Sequence, residues 1–199
     1  MRQYELTEDE KDVLQELMNV AYGNATAVVA DMLDAFASLS IPNIRVLTTH
    51  ELLSTFTQLK AQSYFFATQA FSGEFSGESA FFIDQESANN LAKHLELDNA
   101  EDLDDAILEL TNVLTSSLTT KLSQEMDTEV SFSLPSLSRV SLNNIQKTPT
   151  FQHYSQVIVI DTDLNFQDQK IHGKIFILTK DESIQWLKTK LNSILELLI

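Results

Sequence analysis

The chain has 199 residues, of which 43% are hydrophobic and 21% charged, with three prolines, four glycines and no cysteine. This composition is typical of a compact globular protein, and without cysteine the chain can form neither disulfides nor thiolate metal sites. The formal net charge of −16 at pH 7 disfavours nucleic acid and anionic membrane as partners, because both are bound through cationic side chains. With no apolar leader and no apolar run of membrane-spanning length, we expect a cytoplasmic protein without membrane insertion.

The first half begins with the signals of a long helix. Thr7 and Glu10 have the spacing of a capping box, and apolar residues follow them at helical intervals. We expect this helix to run from about Glu8 to Ala37 and to end before Pro42. Its core-facing stripe is predicted to consist of Val13, Leu17, Val20 and Val28.

Three strands and a second helix are predicted for the rest of this half. Because proline fixes its own backbone dihedral, Pro42 favours an extended segment, and the apolar stretch 41–47 is the first strand. The next two strands, 63–71 and 77–83, are joined by a short Ser-Gly-Glu-Phe segment that suits an antiparallel hairpin. A helix over about 86–95 closes the half.

The second half repeats this order of elements. Asn99 and Asp102 mark the start of a helix through Leu122, which is followed by strands near 129–132, 156–161 and 170–178 and by a last helix from Asp181. Three strands make too small a sheet to be stable alone, whereas six pooled strands can bury one face under helices. We therefore expect an α+β fold with a pseudo-two-fold repeat and a six-stranded, largely antiparallel sheet. Residues 1–199 would form a single domain of two repeats, about 1–98 and 99–199.

One motif occurs twice with identical spacing. It places Asp, Glu, Asn and Pro at fixed intervals, first as Asp12, Glu16, Asn19 and Pro42, and then as Asp105, Glu109, Asn112 and Pro135. On an α-helix the Asp, Glu and Asn of each copy lie within about 40° of one another and share one stripe, which we expect to be exposed. An exposed acidic stripe is usually only a solvated face. A duplication gives no packing reason to keep exposed Glu and Asn twice, so the repeat favours a function.

The segment ELMNVAYGNATAVVADML, residues 16–33, resembles the CheC/CheX/FliY family of CheY-phosphate phosphatases. The active helix of that family carries a Glu, an Asn three residues later and often Gly-Asn-Ala just beyond. The double motif and the chain length are similar to the CheC branch, and the resemblance covers essentially the whole chain. The first copy matches the family pattern better, since Asn112 is followed by Val-Leu-Thr-Ser-Ser-Leu without a glycine. Either copy could be the more active one.

The resemblance implies a role for each motif residue. Asn19 and Asn112 would enter the active site of a phosphorylated CheY-like response regulator and orient the water that attacks its aspartyl phosphate. Glu16 and Glu109 would pair with the active-site lysine of that partner, and Asp12 and Asp105 would take a lesser part in binding it. The protein would need no cofactor of its own, because Mg²⁺ is expected in the receiver. Pro42 and Pro135 would be structural.

Two alternatives remain open at this stage. The first is a non-catalytic adaptor that binds a phosphorylated receiver or a CheD-like deamidase. The second is a flagellar-switch component, which we consider weaker because FliY-like proteins carry an extra C-terminal domain and this chain ends soon after its second repeat. No metal site is expected, since the four histidines, His50, His94, His153 and His172, are not paired at ligand spacing.

Overall fold

The computed structural model describes residues 5–56, 59, 61–141, 156–179 and 181–198. Within these ranges the chain forms five helices and eight strands. The helices are α1 (Glu8–Leu33), α2 (Thr49–Phe56), α3 (Gln85–His94), α4 (Ala100–Glu125) and α5 (Asp181–Leu198). The strands are β1 (Ser38–Leu39), β2 (Asn43–Thr48), β3 (Ser63–Gly73), β4 (Gly77–Asp84), β5 (Val130–Phe132), β6 (Ser136–Ser141), β7 (Gln156–Phe166) and β8 (Ile171–Thr179).

All eight strands belong to one antiparallel sheet, in which each hairpin of one half has strands of the other half beside it. Its order is β1, β7, β8, β4, β3, β5, with β2 also paired to β7 and β6 also paired to β3. In β2 Asn43 lies opposite Asp161, and in β6 Ser136 lies opposite Thr68. The shift in numbering that takes Asn19 to Asn112 also takes Asn43 to Ser136 and Thr68 to Asp161. The two strand pairs are therefore equivalent in the two repeats. The expected α+β class and antiparallel sheet are confirmed, with eight strands instead of six.

The two faces of the sheet bury separate clusters. Successive residues of a strand point to opposite faces, so Phe65 of β3 joins the large core under α1, α3, α4 and α5, whereas Phe66 joins a smaller cluster under α2. There Phe56 of α2 lies with its ring centroid 5.4 Å from that of Phe82. The long motif-bearing helices α1 and α4 therefore lie together on the same side of the sheet.

The structure corrects two predictions for α1. The helix ends at Leu33 and not at Ala37, because Asp34 adopts a left-handed conformation (φ 45°) and its N–H binds the last helical carbonyls. The predicted core stripe was wrong for Val20 and Val28, which are 42% and 40% exposed. Apolar residues occur all around this helix, and the face that packs is Leu14, Met18, Ala21, Tyr22, Ala25, Val29 and Leu33.

Three elements were missed by sequence reasoning. β1 has only two residues, and β6 is rich in serine and mostly exposed, so neither shows an apolar pattern. The helix α2 did carry a signal: Thr48 and Glu51 form a capping box, with the Thr48 N–H donating to Glu51 Oε2 at 2.8 Å and the Glu51 N–H donating to Thr48 Oγ1 at 3.3 Å. The same spacing had identified the start of α1.

Candidate functional site

The first motif lies on the outer face of α1. Asp12, Glu16 and Asn19 are exposed, and no side chain among the described residues forms a hydrogen bond or ion pair with them. The buried residues of α1 point the opposite way, because Leu14 is two positions, or about 200°, from Asp12. The capping box of Thr7 and Glu10 fixes the start of the helix. The trio is therefore held on a regular helix and presented to solvent.

The second motif, on α4, is partly enclosed. Asp105 and Glu109 are exposed, but Asn112 is half-buried, and its Oδ1 accepts a hydrogen bond of 2.8 Å from Nε2 of Gln69 on β3. The same Nε2 donates to the main-chain oxygen of Ser133 at 2.9 Å. Ser133 lies between β5 and β6, two residues before Pro135. One amide therefore joins the motif helix, the sheet and the loop that carries the motif proline.

The orientation of this amide network follows from its acceptors. The Ser133 carbonyl can only accept, so the Gln69 group facing it must be the NH₂, which has two hydrogens to donate. The second hydrogen then requires an acceptor, and Asn112 must turn its Oδ1 toward Gln69. Nδ2 of Asn112 has no partner among the described residues. Gln69 itself is 1% exposed, and its Oε1 is buried without a partner in the described part of the chain.

The first site has a different residue at the place equivalent to Gln69, and this residue comes from the second half of the chain. Thr162 of β7 donates its hydroxyl to the Ser40 carbonyl at 2.7 Å, as Gln69 donates to Ser133. The threonine is shorter, and no hydrogen bond joins it to Asn19. The two copies therefore share the position of the motif on the helix but differ in what holds the asparagine.

The loops beside both motifs are fixed in the same way. The Ser133 N–H donates to the Ala70 carbonyl at 3.0 Å, and the Ala70 N–H donates to Ser133 Oγ at 3.1 Å. Ser40 exchanges the corresponding bonds with Asp163 at 3.0 and 2.9 Å. These serines begin a repeated Ser-apolar-Pro sequence whose middle residues, Ile41 and Leu134, are 76% and 91% exposed.

Sequence reasoning missed both apolar residues as well as Gln69. Ile41 had been placed inside the predicted strand 41–47. That strand corresponds to β2, which starts at Asn43. The signal that could have identified Ile41 and Leu134 is the repetition of Ser-apolar-Pro, because an apolar residue that is exposed in both copies has no packing role to preserve. Gln69 gave no signal of its own, since a glutamine within an apolar strand does not reveal its contacts.

One buried titratable group lies close to the first motif. Tyr22 follows Asn19 by one turn, and its pKa is raised far above the usual range by burial and, second, by the carboxylate of Asp161. The phenol therefore stays protonated at physiological pH and supplies no general base. The groups that each motif presents are carboxylates and an amide, which can bind cations and orient water but are not activated nucleophiles.

No helix in the described part of the chain is both long and apolar enough to span a membrane. Among the four histidines, His153 lies outside the described residues. Of the other three, His94 contacts the main-chain oxygen of Leu33 at 2.7 Å and His172 contacts Asn165 Oδ1 at 2.7 Å.

Comparisons with known proteins agree with this architecture. The family model described as chemotaxis phosphatase CheX matches residues 65–162. No curated protein matches the sequence. The structure of Thermotoga maritima FliY is similar with a TM-score of 0.76 and 15% identity over 96% of this chain and 99% of that one. CheX from Desulfovibrio desulfuricans is similar with a TM-score of 0.57 and 15% identity, over 83% of this chain and 99% of that one. The FliM middle domain from H. pylori is similar with a TM-score of 0.61 and 12% identity, over 93% of this chain and 99% of that one.

The fold is thus that of FliY and of the FliM middle domain, with helices packed on an antiparallel sheet. The match to the CheX family model and the shared fold support the CheC/CheX/FliY family. The matched segment contains Gln69, Asn112 and Ser133, which form the hydrogen-bond network of the second site. Asn19 of the first site lies outside the segment.

Proposed function

We propose that this protein removes the phosphoryl group from the aspartyl phosphate of a CheY-like response regulator in bacterial chemotaxis or a related two-component system. The observation that carries the proposal is that both Asp/Glu/Asn stripes stand on regular helices with their carboxylates exposed. The match of residues 65–162 to the family model of a chemotaxis phosphatase supports the same reaction. The cytoplasm, where receivers act, is the proposed location.

The proposed chemistry requires little of the protein beyond positioning. A water attacks phosphorus, the bond to the aspartyl oxygen breaks, the carboxylate is regenerated, and both hydrogens of the water leave with inorganic phosphate as H₂PO₄⁻. The transition state needs an in-line nucleophile and neutralised charge. The amide of Asn19 or Asn112 would orient the water, while Mg²⁺ in the receiver would neutralise charge, so the protein needs no cofactor of its own.

The carboxylates would bind the partner. Glu16 and Glu109 lie one turn before the asparagines and have no competing ion pair among the described residues, so each can form a charge-assisted bond with a lysine of the docked receiver. Asp12 and Asp105 extend the same stripes toward the helix N-termini and would contact the rim of the partner.

The decisive experiment follows the loss of aspartyl phosphate from a cognate CheY-like protein in excess Mg²⁺. We expect Asn19→Ala and Asn112→Ala each to lower the rate in part, and the double variant to reach the intrinsic decay rate of the receiver. Asn89→Ala, an exposed asparagine on α3, is the matched control and should keep full activity. If the unmodified protein never accelerates decay, it is not a phosphatase of that receiver.

The carboxylates make a separate prediction. Glu109→Gln in an Asn19→Ala background should raise KM about tenfold with little change in kcat, because a charge-assisted hydrogen bond contributes roughly 1.5–3 kcal/mol. Glu16→Gln in an Asn112→Ala background should do the same at the first site. Asp31→Asn, an exposed acid elsewhere on α1, controls for net charge. A fall in kcat at constant KM would contradict an anchoring role.

A non-catalytic adaptor is the second candidate, because the fold is shared with FliM middle domains, one of them described in a complex with FliG. Such a protein would bind a phosphorylated receiver or a CheD-like deamidase without accelerating decay. Binding measured by calorimetry, together with an unchanged receiver lifetime, would identify this case.

A further inference from the structure

We infer that Gln69 is a positioning residue for Asn112 and that the two sites are consequently unequal, the second being preorganised and the first not. This inference rests on the proposed function. It starts from the contact between Gln69 Nε2 and Asn112 Oδ1 at 2.8 Å. The corresponding contact is missing at Asn19 within the described residues, where Thr162 forms hydrogen bonds with Ser40 and none with Asn19.

The environment of Gln69 argues against a purely structural role. Its side chain is almost completely buried, yet its Oε1 has no partner in the described ranges. A buried amide that is only half satisfied weakens a core, and an apolar residue of the same size would pack without that cost. The equivalent Thr162 shows that a hydroxyl is enough to bind the loop carbonyl. The longer side chain of glutamine additionally reaches Asn112.

The bond restricts what Asn112 can do. With Oδ1 engaged, the side chain has one amide orientation, and Nδ2 together with the second lone pair of Oδ1 remains for a water. Asn19 has no such restraint among the described residues and must lose rotamer freedom when it orients a water. The second site should therefore have the higher kcat, although the first has the better match to the family motif.

The kinetic test isolates each site in the full-length protein. In an Asn19→Ala background, where only the second site acts, we expect Gln69→Thr to lower kcat about tenfold at unchanged KM, less than the roughly 100-fold that a displacement of about 1 Å can cost. Gln69→Thr copies the arrangement at the first site, where Thr162 donates to the loop carbonyl. The variant keeps a donor for the Ser133 carbonyl and loses the bond to Asn112, so its kcat reports the effect of that bond alone. In an Asn112→Ala background the same change should leave the first site unaffected.

Two kinetic results would overturn the inference. One is an unchanged or higher kcat for Gln69→Thr in the Asn19→Ala background. The other is an equal loss in both backgrounds, which would show a general effect on folding. If the Asn19→Ala protein has no activity even with Gln69 intact, the second site is not a phosphatase site, and the proposed function fails there independently of Gln69.

A second measurement needs neither activity nor a Gln69 variant. Nitrogen-15 relaxation of the side-chain NH₂ groups in the unmodified protein should give Asn112 a high order parameter and Asn19 a low one. Equal mobility of the two amides would contradict the proposed restraint. This result also stays informative if Gln69→Thr fails to fold.

Discussion

At the residue scale, the two copies of the motif present the same groups in different surroundings. Asn19 is exposed and has no partner in the described part of the chain, whereas Asn112 is bound by a buried amide. Beside Asn112, the tightly bonded Ser133 holds the next residue, Leu134, out in solvent. A leucine that is 91% exposed contributes little to the fold, so it is available to a docked partner.

We therefore expect Leu134→Ser in an Asn19→Ala background to raise KM for the phosphorylated receiver about tenfold, since burying a leucine contributes roughly 1.5–3 kcal/mol. The melting temperature and kcat should stay the same. Leu197→Ser is the matched control, because Leu197 is also highly exposed (86%) but belongs to α5. Equal effects of Leu134→Ser and Leu197→Ser on KM would exclude a specific contact at Leu134.

At the element scale, α1 contains a glycine that its own structure does not require. Gly23 lies one turn beyond Asn19 on the same exposed stripe, and a Cβ placed there would meet nothing within 4 Å. Glycine inside a helix costs about 0.5–1 kcal/mol relative to alanine. In contrast, a Cβ at Gly77 or Gly173, in the paired strands β4 and β8, would collide with atoms at 2.1 and 2.4 Å. The strand glycines serve packing, whereas Gly23 leaves the surface beside Asn19 without a side chain.

This contrast predicts opposite effects of one substitution. Gly23→Ala should raise the free energy of unfolding by about 0.5–1 kcal/mol, measured by urea denaturation. In an Asn112→Ala background it should also raise KM, because the added methyl group stands beside Asn19. In an Asn19→Ala background the second site should be unaffected. A gain in stability without any change in KM would mean that the surface around Gly23 is not contacted.

At the scale of the whole molecule, the halves exchange strands. Among the described residues, β2 of the first half pairs with β7 of the second, and β6 of the second half pairs with β3 of the first. The motif helices α1 and α4 are also buried in one shared core. Neither half can therefore satisfy its strand edges or cover its apolar face alone.

The division into two repeats, about 1–98 and 99–199, stays a prediction that fragments can test. Each half produced separately should show no cooperative unfolding transition, and mixing the two should restore one. In the intact chain, proteolysis at 97–101 should be slow, because the Leu97 N–H binds the Ala92 carbonyl and Asn99 caps α4, which holds this exposed segment at both ends. Cooperative unfolding of the 1–98 fragment by itself would show that the halves are independent domains.

Local signals explain why much of the fold could be predicted. The starts of α1 and α4 were found because Thr7 and Asn99 bind the first free N–H groups of their own helices. The β3–β4 hairpin was found from two apolar runs separated by a short turn, and β7 and β8 were found as separate apolar runs. The short strand β1, the polar strand β6 and the choice of core face on α1 were not, because each depends on neighbours distant in the sequence.

By itself, the sequence determined that the chain carries one Asp/Glu/Asn stripe twice, on two long helices of a mixed α+β fold. Spacing along a helix is a local property, and a duplication makes it visible without any structure. Only the tertiary structure decided how the halves exchange strands and what surrounds each asparagine. Gln69 is 43 residues from Asn112 along the chain, and the antiparallel sheet together with α4 brings their amides to 2.8 Å. Thr162 at the equivalent place is too short to make that bond, so the difference between the sites depends on contacts that spacing cannot reveal.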